Sequence, residues 1–81
     1  MAESVYYMQQ KSEFLEKLGH KIRILRDKKG LSQEQLAEIS KIDRGHIGAI
    51  EKGKIDIRIY TLKQIANALD LEITEFFDFT I

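Results

Sequence analysis

Between Ser32 and Gly53 the chain reads SQEQLAEISKIDRGHIGAIEKG: two helices with almost nothing between them. Ser32, followed three positions later by Gln35, spells a capping box. Its hydroxyl accepts from the Gln35 backbone N–H, and the Gln35 amide reaches back to Ser32. Leu36, Ala37 and Ile39 supply the inner face of this helix, which stops near Ser40. Asp43 is a good N-cap for the next helix, Arg44 to about Lys52, closed by Gly53. Only a few residues are left for the turn. Helices this short are marginal alone in water, so both must pack on something else. The second one also carries Gly45 and Gly48, each about 1 kcal/mol worse in a helix than alanine. Two explanations are open: close packing against a neighbouring helix, or close approach by something from outside.

The rest of the chain supplies the packing partners. Phe14, Leu15, Leu18, Ile22 and Leu25 line one face of a helix. Ser12 is its candidate N-cap, and Gly30 after Lys28 and Lys29 is its stop signal. Gly19 inside it marks a close contact. The stretch KIDIRIY, Lys54 to Tyr60, alternates like a strand. No second strand exists to pair with it, so it is expected as an extended loop with its isoleucines tucked onto the helices. TLKQ at Thr61 spells a second capping box, opening a helix with Leu62, Ile65, Ala66 and Leu69 inside. A last short helix is expected from Thr74, with Glu75 in its first turn, carrying Phe76 and Phe77. The expectation is an all-α, compact five-helix domain over residues 11–81. An arm over residues 1–10 precedes it, with Val5, Tyr6, Tyr7 and Met8 as an apolar knot. The whole chain of 81 residues is enough for one small domain.

Composition removes several function classes. There is no cysteine, so disulfides, zinc–thiolate sites and thiol catalysis are excluded. No apolar run approaches the ~18 residues needed to span a bilayer, and the start of the chain does not read as a secretory signal. A cytoplasmic protein is expected. His20 and His46 are the only histidines, and no metalloprotease, P-loop or nucleotide-binding pattern accompanies them. Neither an enzyme nor a metal or other cofactor is expected. Net charge is zero, but it is unevenly spread. Lys11 to Gly30 holds seven basic and three acidic residues, and Thr61 to Ile81 one basic and four acidic. A neutral total therefore hides a basic face and an acidic end.

Two helices joined by a three- or four-residue turn form the helix-turn-helix unit that reads DNA. Such a unit needs a small residue where the helices cross, and Ala37 supplies it. It needs apolar anchors on the inner face of the second helix, and Ile47 and Ile50 serve. The outer face must be free to enter the major groove. Here that face is Arg44, Gly45, Gly48, Ala49 and Lys52, with His46 at its edge.

At this point the sequence resembles a known family. LSQEQLA, the IxxIExG pattern from Ile47 to Gly53, and TLxxIAxAL from Thr61 to Leu69 match the helix-turn-helix domain of the lambda-repressor and Cro type, also called the XRE family. The likeness covers roughly Leu18 to Phe77. The segment IDRGHIGAIEKG is similar to restriction–modification controller proteins, which carry an Asp-Arg pair at the start of the recognition helix. The resemblance implies a transcriptional regulator that binds double-stranded DNA at a two-fold operator as a homodimer, probing the major groove with residues 44–52. It implies base contacts from Arg44, Gly45, His46 and Ala49. A bidentate arginine on guanine discriminates by ~1–3 kcal/mol. Phosphate contacts are implied for Gln33, Lys41, Lys52 and Lys54, with Arg23 and Lys28 as secondary candidates. Glu51 matches a structural acid. Lys41 stands where the family often has glycine, so a left-handed turn there would cost about 1 kcal/mol. Gly45 and Ala49 replace longer polar side chains, leaving more of the readout to DNA shape.

Phe76, Phe77, Phe79 and Ile81 are candidates for a dimer surface, one of Phe76 and Phe77 being expected to complete the monomer core instead. No second domain is visible, so no small-molecule effector is implied, and regulation would follow the concentration of the protein itself. Two other readings share the fold. One is an antitoxin, whose partner is a toxin protein and whose grip is the arm. The other is a protein-interaction module that no longer binds DNA.

Overall fold

The computed structural model describes the backbone of residues 2–79 and the side chains of residues 5–79. Four α-helices follow one another: α1 (Ala2–Lys28), α2 (Gln33–Ser40), α3 (Arg44–Glu51) and α4 (Ile59–Ala68). A 3₁₀ helix (Ile73–Phe77) closes the fold, in place of the fifth α-helix expected. No strand occurs among the described residues, so the class is the all-α one.

The core forms where the four α-helices meet the 3₁₀ helix. Leu18 and Ile22 of α1, Leu36 of α2, Ile47 and Ile50 of α3, and Leu62, Ile65 and Leu69 of α4 are buried around Phe76. α1 packs on α3 and on the 3₁₀ helix, and α2 packs on α3 and α4. Fully burying each such side chain is worth ~1.5–3 kcal/mol of transfer free energy, which holds together helices too short to persist alone.

Two glycines make the packing possible. A methyl group on Gly19 would lie 2.7 Å from the carbonyl oxygen of Glu51, and one on Gly53 would lie 2.6 Å from Cα of Glu16. These are backbone atoms that cannot step aside. Gly19 therefore lets α1 cross the end of α3, as the sequence suggested. Gly53, at φ +70°, both ends α3 and touches α1.

Several boundaries and faces differ from the sequence reading. α1 begins at Ala2, not at Ser12, whose hydroxyl lies inside the helix 3.4 Å from Glu16 Oε1. Once α1 is nucleated by its packed half, extension costs little per residue, and no proline or glycine stops it. The second capping box does not form. α4 starts at Ile59 with Arg58 as an extended N-cap, and the Leu62 N–H already bonds the Arg58 carbonyl. Gln64 reaches across to the Ser40 carbonyl at 3.5 Å instead of back to Thr61. Ile55 and Ile57 pack onto the core as expected, whereas Ile59 is 70% exposed. Ile39 faces solvent, and Ile42 in the turn takes a buried place in its stead. The last helix starts at Ile73, capped by a reciprocal pair between Glu72 and Glu75.

Candidate nucleic-acid interface

The position of α3 is set from both ends. At its start Asp43 Oδ2 accepts from the backbone N–H groups of Gly45 at 2.9 Å and His46 at 3.4 Å. At its end Glu51 is buried and gripped by Arg26 of α1. Arg26 Nε and Nη2 donate to the two carboxylate oxygens of Glu51 at 2.6 and 2.9 Å, and Nη1 donates to the Leu31 carbonyl at 2.7 Å. The hydrogen bonds it donates to Glu51 hold the Arg26 pKa above its ordinary value, against the opposing pull of burial. Gln33, first residue of α2, donates its amide to Glu51 Oε1 at 3.0 Å. One carboxylate thus ties α1, α2 and α3 together. Bidentate pairing suits a buried site, because neither ion is left without a partner.

The turn between α2 and α3 is as tight as the sequence suggested. Lys41 adopts φ 63°, ψ 31°, the left-handed conformation that glycine fills without strain. The Lys41 and Ile42 N–H groups both return to the Ala37 carbonyl. Ala37 is itself buried at the crossing.

The outer face of α3 is nearly bare. Arg44, Gly45 and His46 are exposed, and Gly48 and Ala49 half-buried. A methyl group on Gly48 would meet only Gln33 Oε1 at 3.7 Å; on Gly45, only Asp43 Oδ2 at 3.0 Å. Neither glycine is packed against a neighbouring helix, so the packing explanation fails for both. Arg44 Nε stands 3.2 Å from Glu34 Oε1 of α2, with both side chains largely exposed. Such a pair is worth ~0–1 kcal/mol and yields readily to a stronger acceptor.

The cations lie around the ends of this helix. Lys41 precedes α3, Lys52 caps it and Lys54 follows it, all three exposed. Arg23 and Lys28 lie exposed on α1, with Arg23 4.0 Å from Asp27. The fold therefore brings Gln33, Lys41, Arg44 and Lys52 together around α3. It does not add the aromatic set as a unit. Phe76 is fully buried and is removed from the candidate dimer surface, because it is the residue that completes the core. Phe77 is 42% exposed and stacks on Phe14 at 6.4 Å between ring centroids; Phe79 is half-buried and tilts against Phe14 at 5.6 Å. Ile81 lies outside the described residues.

Sequence reasoning missed Arg26. It sits four residues after Ile22 on the inner stripe of α1, a position where a cation has to find a buried acid. It also missed Glu34 beside Arg44, for which the sequence carried no signal. Among the described residues no helix is long and apolar enough to cross a membrane.

Comparison with known proteins agrees with this geometry. A helix-turn-helix family model, HTH_3, matches residues 22–76. The control protein C.SmaI of Serratia marcescens is 40% identical over 56 residues, 69% of this chain and 67% of its own. The crystal structure of the restriction–modification controller protein C.AhdI from Aeromonas hydrophila superposes with a TM-score of 0.78 at 41% identity, over 79% of this chain and 97% of that one. C.Esp1396I bound to a 19 base pair DNA duplex superposes with a TM-score of 0.73 at 34% identity, over 79% and 85% of the two chains. The chain belongs to the helix-turn-helix (HTH_3, XRE-type) family of the lambda-repressor kind, and restriction–modification controller proteins are among its relatives.

Proposed function

We propose that this protein is a sequence-specific, double-stranded-DNA-binding transcriptional regulator of the restriction–modification controller type. It acts in the cytoplasm, as a binding protein and not an enzyme, on a two-fold operator engaged by a homodimer. The observation that carries the reading is the outer face of α3. Gly45 and Gly48 give up helix stability without an internal packing reason, on the surface that a helix-turn-helix unit presents to the major groove. A face without bulk lets the backbone approach base edges closely. Arg44 at its start supplies a fork for guanine, and His46 and Ala49 flank it. Gln33 keeps one amide N–H for a phosphate, and Lys41, Lys52 and Lys54 bracket the groove as positioning cations. Likeness to controller proteins, one of them bound to a DNA duplex, supports the same reading.

The test is fluorescence anisotropy with the DNA immediately upstream of the gene, at two salt concentrations, for wild type and Arg44→Ala. The expected result is tight binding that weakens steeply with salt. In Arg44→Ala the preference over scrambled DNA falls ~10- to 100-fold, the worth of one bidentate contact. Wild-type binding no better than to scrambled DNA would overturn the proposal.

A further inference from the structure

α1 is longer than the domain it serves. The described molecule measures 43 × 23 × 19 Å, and a helix of 27 residues at 1.5 Å per residue is about 40 Å long. Its C-terminal half packs into the core, and its first turns carry the exposed side chains Val5, Tyr6, Tyr7 and Met8. Two of them continue the inner stripe of the helix. Tyr7 and Phe14, like Met8 and Leu15, are two turns apart and share a face. That face is the one on which Leu18 and Ile22 are buried, so the inner stripe of α1 runs on past the end of the core. Tyr7, Gln10, Phe14 and Leu15 line one groove, with the Lys11–Asp56 ion pair at its rim. Phe14 in turn stacks on Phe77 and touches Phe79. One continuous apolar ledge thus joins the start of α1 to the C-terminal aromatics.

We infer that this ledge is a self-association surface, and that its occupant is a second copy of this chain. Each α1 extension would cover the aromatic ledge of the other subunit across the two-fold axis. The inference rests on the homodimer reading above and says where the dimer finds its area. A stable interface takes ~800 Å² from each partner. Two partly exposed phenylalanines at the C-terminal end offer on the order of 200 Å² together. Tyr7, Met8 and the open edge of Phe14 are the further exposed apolar area on the same side of α1. The extension also lacks the chemistry of two other occupants, a nucleic-acid backbone and an anionic membrane. From Ser4 to Gln10 it has no charged residue, so it offers neither cations for phosphate nor a basic face for an anionic membrane.

Sedimentation equilibrium on the full chain tests this, with wild type, Tyr7→Glu/Met8→Glu, Phe77→Glu and Ile59→Glu. Ile59 is exposed outside the ledge and serves as the control. The dimer dissociation constant should rise at least tenfold for the first two variants and stay within twofold for Ile59→Glu. Hydrogen exchange on the wild type gives a second readout that needs no substitution. Amides of residues 5–12 should gain protection as the protein is concentrated from monomer to dimer. If Phe77→Glu weakens the dimer while Tyr7→Glu/Met8→Glu does not, or if that protection is independent of concentration, the extension is not in the interface. The inference then falls and the homodimer reading survives. A wild type that stays monomeric at high micromolar concentration and on operator DNA would overturn both.

Discussion

Arg26 shows how much one buried charge can organise. Its guanidinium meets both oxygens of Glu51 and the Leu31 carbonyl, and Glu51 in turn receives Gln33. Removing one ion and keeping the other is costly in a buried pair. Arg26→Met should therefore destabilise the domain by ~3–5 kcal/mol, because the Glu51 carboxylate loses its partner. The double variant Arg26→Met/Glu51→Leu should recover most of that. Urea unfolding of the two proteins checks it, and equal losses in both would mean that packing, not charge, dominates. Lys41 makes the opposite case. Its left-handed backbone is strained, so Lys41→Gly should stabilise the fold by ~0.5–1 kcal/mol. In a domain of this size that is a few degrees in Tm. The same change removes a candidate phosphate contact, so DNA affinity should fall while the melting temperature rises.

At the scale of the elements, the glycines divide by what surrounds them. Gly19 has the backbone of the α3 end against it, and Gly48 has only the Gln33 side-chain amide near it, at ordinary contact distance. Gly19→Ala should force α1 and α3 apart and cost ~1–3 kcal/mol. Gly48→Ala should raise stability by up to ~1 kcal/mol and yet weaken operator binding severalfold, because the added methyl group stands between helix and base edges. Thermal melts paired with anisotropy separate the two cases; a Gly48→Ala protein that binds as well as wild type would remove the close-approach argument. From the sequence alone Gly19 read as a close contact and Gly48 stayed open between packing and approach from outside, since spacing says where a glycine lies on its own helix and not what crosses it. The same limit explains the other differences. The caps at Ser32 and Asp43 were legible because each is settled within one turn of chain. Thr61 spelled a cap just as well. It lost because the docking of Ile55 and Ile57 lets the helix begin one turn earlier, and because Gln64 found Ser40. The start of α1 was illegible for a related reason: helix growth from a packed half needs no local signal. The outer face of α3 was read in full from period and capping, whereas the Arg44–Glu34 contact depends on the angle between two helices.

The whole molecule carries no net charge, yet Lys41, Arg44, Lys52 and Lys54 stand exposed around α3 while Thr61 to Ile81 holds four acids against one cation. That separation makes a quantitative demand on binding. On the proposed reading each subunit sets Lys41, Lys52 and Lys54 on phosphates, so a dimer on two half-sites would neutralise six. Counterion release then sets the slope of log K against log salt at about −5, from ~0.9 per phosphate. A lone subunit would give about half that slope. Lys52→Ala should lower the slope by nearly 2, because each substitution is counted twice in a two-fold complex, while the preference for the operator over scrambled sequence changes little. Arg44→Ala should do the reverse, with a smaller change in slope and a large loss of preference. A titration series from low to physiological salt on these three proteins therefore measures both the stoichiometry of the complex and the division of labour within it. A wild-type slope near −2.5 would place one subunit on the DNA, and a Lys52→Ala slope equal to wild type would take Lys52 off the phosphate backbone.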